Sequence, residues 1–371
     1  MRRRVVIALV CLIVAVILWA VLRWPGEPSY KGRTLSEWFY ATLKAPDFGV
    51  RQKQWEEAVQ HMGTNAVPTL VSWLATEPTF GWHRFFKIQN ALPVSLRASR
   101  IILWLRNKAD ANEMNQQFRA AAAESALIEL RKDAKSAIPA LLRMFRDPQR
   151  SSSAFRAGNV LAVLGKQSFP ALLQCFSDPQ FTNYFALAKV LGRVRGFSGE
   201  EGAPAVPYLC NLLESGDSAL KQVCADALGN LAAAPDLAVP SLAGALTNAI
   251  QGSDVVLSRK CAEALGQFGS RGSPAVAALC FALNSPDGIT SEEAARTLGK
   301  IGVGSETAVP ALIAYLKSAG TTGRRKYAIE GLKGYGEAAR EAIPLIREAM
   351  NDDDHDTRAL AEETLEKLKG N

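Results

Sequence analysis

Few residues in this chain are arranged for chemistry. The most suggestive run is Asp352-Asp353-Asp354-His355-Asp356, a D-x-D-x-D stretch with Glu363 twelfth from Asp352, the outline of a calcium loop. The sixth place holds Thr357, where the sharp turn of such a loop needs glycine. From Thr357 onward the apolar spacing is helical, which keeps Glu363 from curling back. Asp147, Asp178 and Asp217 stand at comparable turns, so these aspartates read as turn and helix-capping residues. His61, His83 and His355 are isolated, with no HExxH, zinc spacing, GxSxG, P-loop or GxGxxG in a βα context.

The six cysteines invite redox or metal chemistry. Cys11 lies in an apolar N-terminal run. Cys210 and Cys280 stand three residues after Pro207 and Ala277, and Cys224 and Cys261 stand four before Leu228 and Leu265. Packed helices lie about 8–10 Å apart, whereas a disulfide wants Cα atoms within about 7 Å. No CxxC pair exists and the count beyond Cys11 is odd, so the thiols read as small buried hydrophobes. The expectation is a non-enzyme with no catalytic, cofactor-binding or metal-binding residue.

The elements around these residues are more informative. In Ala205–Leu231, Pro207 opens a stretch with Leu209, Leu212 and Leu213 on one helical face. Gly216-Asp217 breaks it, and Val223, Cys224, Ala227, Leu228 and Leu231 follow on the face of a second helix. Neither helix buries its apolar face alone, so the hairpin requires neighbours. They recur: Pro139, Pro170, Pro207, Pro240, Ala277, Pro310 and Pro344 form one register, with Leu161, Leu191, Leu228, Leu265, Leu298, Leu332 and Leu365 behind it. Each leucine follows its partner by 21 or 22 residues, except Leu265, which follows Pro240 by 25. Two registers in step, at a period near that of known helical repeats, predict an all-α fold, an α-solenoid of stacked antiparallel hairpins.

Gly192, Gly229, Gly266 and Gly299 directly follow register leucines, inside helices where glycine costs about 1 kcal/mol against alanine. That recurrence predicts a close backbone approach between second helices. Gly63, Gly165, Gly269, Gly302 and Gly336 fall at helix ends, where a left-handed cap favours glycine. The pattern AxPxLxxxL, a polar turn, then AxxALGxLG resembles the HEAT repeat family from Ala137 to the C-terminus, and more weakly before it. The tetratricopeptide alternative lacks its W-x2-L-G-x2-Y pattern here. The resemblance implies an armadillo-type superhelix whose second helices line the concave side.

Before the repeats, MRRR precedes Val5–Leu22, 18 uncharged apolar residues that meet the lower length for a membrane span. No A-x-A-like cleavage site follows, and Val10 rather than a small residue precedes Cys11, so the expectation is an uncleaved anchor over residues 1–24. Residues 25–33 read as a linker and 34–371 as the solenoid. The basic cluster places the N-terminus in the cytoplasm and the body on the far, periplasmic side, although Arg23, Lys31 and Arg33 reduce the bias. Tyr30, Gly32, Leu35, Ser36 and Trp38 after the anchor resemble the entry of single-anchor bacterial HEAT proteins. Thr34 reads as a cap for the first helix.

Regularity lapses at residues 77–112, where Phe80, Trp82, Phe85 and Phe86 cluster before Leu127 regains the register. This is one enlarged repeat, either locally repacked or decorated for binding.

Net charge is +7, but Arg2, Arg3, Arg4 and Arg23 supply four of it, leaving 39 basic against 36 acidic residues. The exposed second-helix positions, two before each register leucine, read Ser125, Asn159, Lys189, Asp226, Glu263, Arg296 and Glu330. That row alternates in sign and forms no basic stripe, which argues against nucleic acid. What the resemblance implies is a membrane-tethered scaffold that binds a protein or peptide partner. Two other HEAT-like classes stand beside it: proteins that bind DNA and excise alkylated bases, and lyases acting on bilin chromophores.

Overall fold

The structure, a computed structural model, describes residues 27–44, 48–77, 100–194, 197, 199–318 and 324–369. The chain forms two compact units, Met1–Ala140 and Leu141–Asn371. In the first, a two-stranded ribbon, β1 (Ser29–Tyr30) and β2 (Arg33–Thr34), precedes helices α1 (Leu35–Lys44), α2 (Phe48–Met62), α3 (Val67–Leu74) and α4 (Arg100–Leu130). Then come α5 (Ile138–Arg146), α6 (Ser151–Leu164), α7 (Phe169–Leu173), α8 (Tyr184–Leu191), α9 (Val206–Ser215), α10 (Ser218–Leu231), α11 (Pro235–Gln251) and α12 (Val255–Gly266). The last are α13 (Val276–Ala282), α14 (Gly288–Ile301), α15 (Ser305–Ser318), α16 (Arg325–Tyr335), α17 (Ile343–Ala349) and α18 (His355–Lys369). Odd-numbered helices are the first of each hairpin and even-numbered helices the second.

Part of the expected linker is structured. Lys31 and Gly32 both take positive φ, the requirement of a tight hairpin turn, and pair Tyr30 with Arg33. The ribbon docks on the first hairpin: Trp38 Nε1 donates to the Tyr30 carbonyl at 3.0 Å, and the Tyr30 ring stacks on His61 at 4.4 Å. Tyr30 and Lys31 both reach Glu57 at 2.9 Å, and those hydrogen bonds hold its carboxyl below the usual carboxylate range. Thr34 caps α1 reciprocally: Glu37 N–H donates to Thr34 Oγ1 at 3.3 Å and Thr34 N–H donates to the Glu37 carboxylate at 2.8 Å.

Hairpins stack along the second unit through their even-numbered helices, α8 on α10, α10 on α12, α12 on α14, α14 on α16 and α16 on α18. The register leucines Leu161, Leu191, Leu228, Leu265, Leu298 and Leu332 are fully buried between layers. Aspartates open the second helices: Asp217, Asp254, Asp287 and Asp354 accept from the backbone N–H of Leu220, Leu257, Thr290 and Thr357 at 2.8–3.1 Å. Gly63, Gly165, Gly269, Gly302 and Gly336 all take positive φ at helix ends, as their spacing predicts.

Two register prolines do not open their helices. Pro240 lies inside α11 and Pro310 inside α15, because the turn before the proline, a 3-10 turn ahead of α5, α9, α13 and α17, is α-helical here. The longer α11 also accounts for Leu265 falling late. Nearly one helical turn is added, which returns the leucine to the same face.

The expected membrane localisation, with the body on the far side, is overturned. Among the described residues no helix is long and apolar enough to cross a membrane. Val5–Leu22 and the anchor read over residues 1–24 lie outside the described residues, as do Phe80, Trp82, Phe85 and Phe86.

Candidate functional site

The second-helix face is the first candidate surface. Asn159, Lys189, Asp226, Glu263, Arg296 and Glu330 all reach solvent, as their position predicts. From Asp226 onward these charges pair with neighbouring side chains, some of them across repeats. Lys260 bridges Asp226 at 2.9 Å and Glu263 at 3.8 Å. Arg296 lies between Glu293 at 2.5 Å and Glu330 at 3.4 Å, with its guanidinium over the Tyr327 ring. Lys300 also reaches Glu293, and Lys333 pairs with Glu363. From α10 to α18 the face is therefore charged but largely self-satisfied. Such partly exposed pairs are each worth about 0–1 kcal/mol.

Beneath them, second helices meet nearly backbone to backbone. A Cβ on Gly192 would lie 2.8 Å from Ala227 Cα, and one on Gly299 would lie 2.9 Å from Gly331 Cα. Thr297 Oγ1 adds a buried hydrogen bond to the Ala262 carbonyl at 2.9 Å.

Within Met1–Ala140 the corresponding seam is open. A cleft of about 540 Å³ lies between α2 and α4, lined by Phe39, Trp55 and Phe118 and by the small residues Ala121, Ala122 and Ser125. Two carboxylates, Glu56 and Glu129, also line it and accept from Gln52 and Gln60 at 2.9 Å each. On the same helix, one turn apart, Met114 and Phe118 are 56% and 49% exposed. The C-terminal half of α4 thus presents an apolar stripe beside a cavity of ligand-pocket size. This helix continues the irregular stretch at 77–112, where the sequence permits a binding feature.

Residues 243–333 match the pattern of the HEAT repeats family. This stretch carries HEAT repeats. An armadillo/beta-catenin-like repeat matches residues 202–233. Among solved structures, the chain is similar in fold to a Kap121p mutant, with a TM-score of 0.52 at 16% identity over 92% of this chain and 41% of that one. Kap121p bound to Nup53p is similar at a TM-score of 0.51 and 16% identity, covering 92% of this chain and 42% of that one. The chain spans about two fifths of the length of those Kap121p chains. An engineered protein matches at a TM-score of 0.48 and 18% identity, over 91% of this chain and all of that one. No curated protein matches the sequence.

Several of the described chemistry-bearing residues make contacts within and between the helical hairpins. Asp352 is buried against Arg325 at 3.3 Å, and Asp354 caps α18. A hydrogen bond from the Thr357 hydroxyl holds the Asp354 carboxyl below its ordinary value. Glu363 points instead to Lys333. Cys175, Cys210, Cys224, Cys261 and Cys280 are free thiols. Burial pushes Cys224 up to about 12 and raises Cys261 further, so neither forms a thiolate at neutral pH. Cys210 and Cys280 each donate weakly to a carbonyl of the next hairpin, Leu237 and Thr307, at 3.9 Å. His61 stacks on Tyr30 and His355 is exposed beside Asp356, while His83 lies outside the described residues. The cleft was not visible in the sequence, because its walls come from helices far apart in the chain.

Proposed function

We propose that this chain is a non-catalytic HEAT-repeat scaffold that takes a protein or peptide partner on its helical surface, with the α2–α4 cleft as one contact. The observation that carries the reading is the open seam in Met1–Ala140. Phe118 and Met114 stand half exposed beside an apolar cavity, whereas glycine and alanine close the seams of the second unit. Exposed apolar side chains contiguous with a cavity are a signature of macromolecular contact. Kap121p, of similar fold, has been solved bound to Nup53p. Against the DNA-binding alternative, the alternating charges of α10 to α18 neutralise one another and offer phosphates no continuous row. Nothing at the cleft favours a bilin.

A photo-crosslinking residue in place of Phe118, in the full chain, tests the proposal. One discrete protein adduct is expected, lost when Met114→Asp is added. Adducts that are absent, or indifferent to Met114→Asp, would overturn the cleft as a partner site.

A further inference from the structure

Helices α6 and α8 depart from the self-paired charge pattern of the second-helix face. Six residues before its register leucine, α6 carries Phe155 and α8 carries Phe185, and these side chains are 60% and 44% exposed. The same place holds Gln222, Arg259, Glu292 and Lys326 on α10, α12, α14 and α16. Residues six and two before the leucine are one turn apart and share a helix face. Val163, two residues after Leu161, lies on that face of α6 and is 41% exposed. Large apolar side chains at one repeated position on adjacent helices form a patch, whereas single exposed ones are ordinary.

The cations beside this patch differ from those farther along. Lys260, Arg296, Lys300 and Lys333 each have a carboxylate within the range of an ion pair. Lys189 is exposed and meets no carboxylate among the described residues. Arg193 is exposed too, and its guanidinium donates to the neutral Asn159 Oδ1 at 2.9 Å across the α6–α8 seam. That hydrogen bond positions the cation without neutralising it. The next residues along the row are Asp226 and Glu263, so the positive region is confined to this one seam.

We propose that the α6–α8 face docks an acidic segment of a partner protein that carries an aromatic or branched aliphatic side chain. The apolar side chain covers Phe155, Phe185 and Val163, and flanking carboxylates meet Lys189 and Arg193. Two adjacent cations bounded by acidic residues suit a short acidic peptide better than a nucleic acid, whose regular phosphates call for a continuous basic track. The inference rests on the partner-binding reading above but concerns the other unit and a separate surface.

Fluorescence anisotropy with the full chain tests it. The probe is a short fluorescein-labelled peptide of Asp and Glu residues around one Trp. Saturable binding is expected, weakened about tenfold or more by Lys189→Glu with Arg193→Glu, and similarly by Phe155→Ser with Phe185→Ser. Circular dichroism should be unchanged, since all four side chains are exposed. The same peptide built on Lys should not bind, and Phe118→Asp should leave binding intact. Loss with Phe118→Asp alone would move the contact to the α2–α4 cleft, overturning this inference while sparing the scaffold reading. Absence of binding, indifference to both paired variants, or tighter retention of a single-stranded oligonucleotide would each overturn it.

Discussion

Gly229 lies against the backbone of Ala264: a methyl group on the glycine would come within 2.7 Å of Ala264 Cα and 2.9 Å of its Cβ. The glycine directly follows one register leucine, and the alanine directly precedes the next. Gly192 meets Ala227 and Gly299 meets Gly331 in the same relation. Small residues on both sides let neighbouring second helices approach closely.

This contact sets opposing effects on an alanine substitution. Helix propensity favours alanine by about 1 kcal/mol, while overpacking a tight contact costs about 1–3 kcal/mol. Backbone does not yield as a side-chain end does, so Gly229→Ala and Gly299→Ala should destabilise the chain in urea denaturation. Gly266 meets only side-chain atoms of Lys300 and Thr297, at 3.2 Å and 3.3 Å, so Gly266→Ala should be near neutral. Gly244, inside α11 with nothing within 4 Å, is the control and should stabilise. A turn glycine such as Gly216 does not serve, because a methyl there would meet the Leu212 carbonyl at 2.7 Å.

Asp254 caps α12 and accepts a second hydrogen bond from Ser218 Oγ at 2.6 Å, tying it to the preceding hairpin. Asp254→Ala should cost about 1–2 kcal/mol, with Asp217→Ala, which loses a single cap bond, at the lower end. Comparing their denaturation midpoints checks the order; equal effects would remove the role of Ser218.

Alkaline pH should weaken the fold through its buried thiols. Burial raises the Cys224 pKa from the ordinary 9.0 to about 12, so the folded state keeps a proton that the unfolded chain releases. That contribution is complete below pH 9 and is lost as pH rises toward 12. Cys261 and Tyr335 shift in the same direction by burial. Stability measured across this range should fall, and Cys224→Ala should flatten part of the fall. A slope unchanged by that variant would assign the loss to other groups.

At the C-terminal hairpin, Asp352 has no exposed side-chain surface and pairs with Arg325 at 3.3 Å. Its Oδ1 also accepts from the Asp354 N–H at 3.0 Å. Removing one partner of a buried pair costs about 3–5 kcal/mol, and partial exposure of Arg325 places Asp352→Ala at the lower end. Hydrogen exchange should show α18 opening first. Uniform loss of protection across the chain would instead mean that the hairpins unfold together.

The repeat architecture was legible because its determinants are local. A turn aspartate, a helix-end glycine and a leucine two helix lengths later each report on their own hairpin. Features that depend on how neighbours meet were not legible. The signs of Asp226, Glu263, Arg296 and Glu330 were visible, but Lys260 and Glu293, which pair them, lie at other positions of the repeat. The β1–β2 ribbon falls largely within the stretch whose sequence reads as linker, because two-residue strands leave no periodic signal, although Lys31-Gly32 marks its turn. Register spacing alone places Pro240 and Pro310 at helix starts, since proline favours the first turn; α-helix in the preceding turn moves each start upstream. Phe155 and Phe185 share a register place that the sequence contains, but their exposure required the fold.

The ion pairs on the second-helix face also distinguish one hairpin from the next. Lys260 reaches back to Asp226, Arg296 reaches forward to Glu330, and Lys333 reaches forward to Glu363. An internal hairpin moved to another place in the array would keep its buried leucine but meet a neighbour with a different charge order. The surface charges therefore favour the native order of the hairpins, each pair by no more than about 1 kcal/mol.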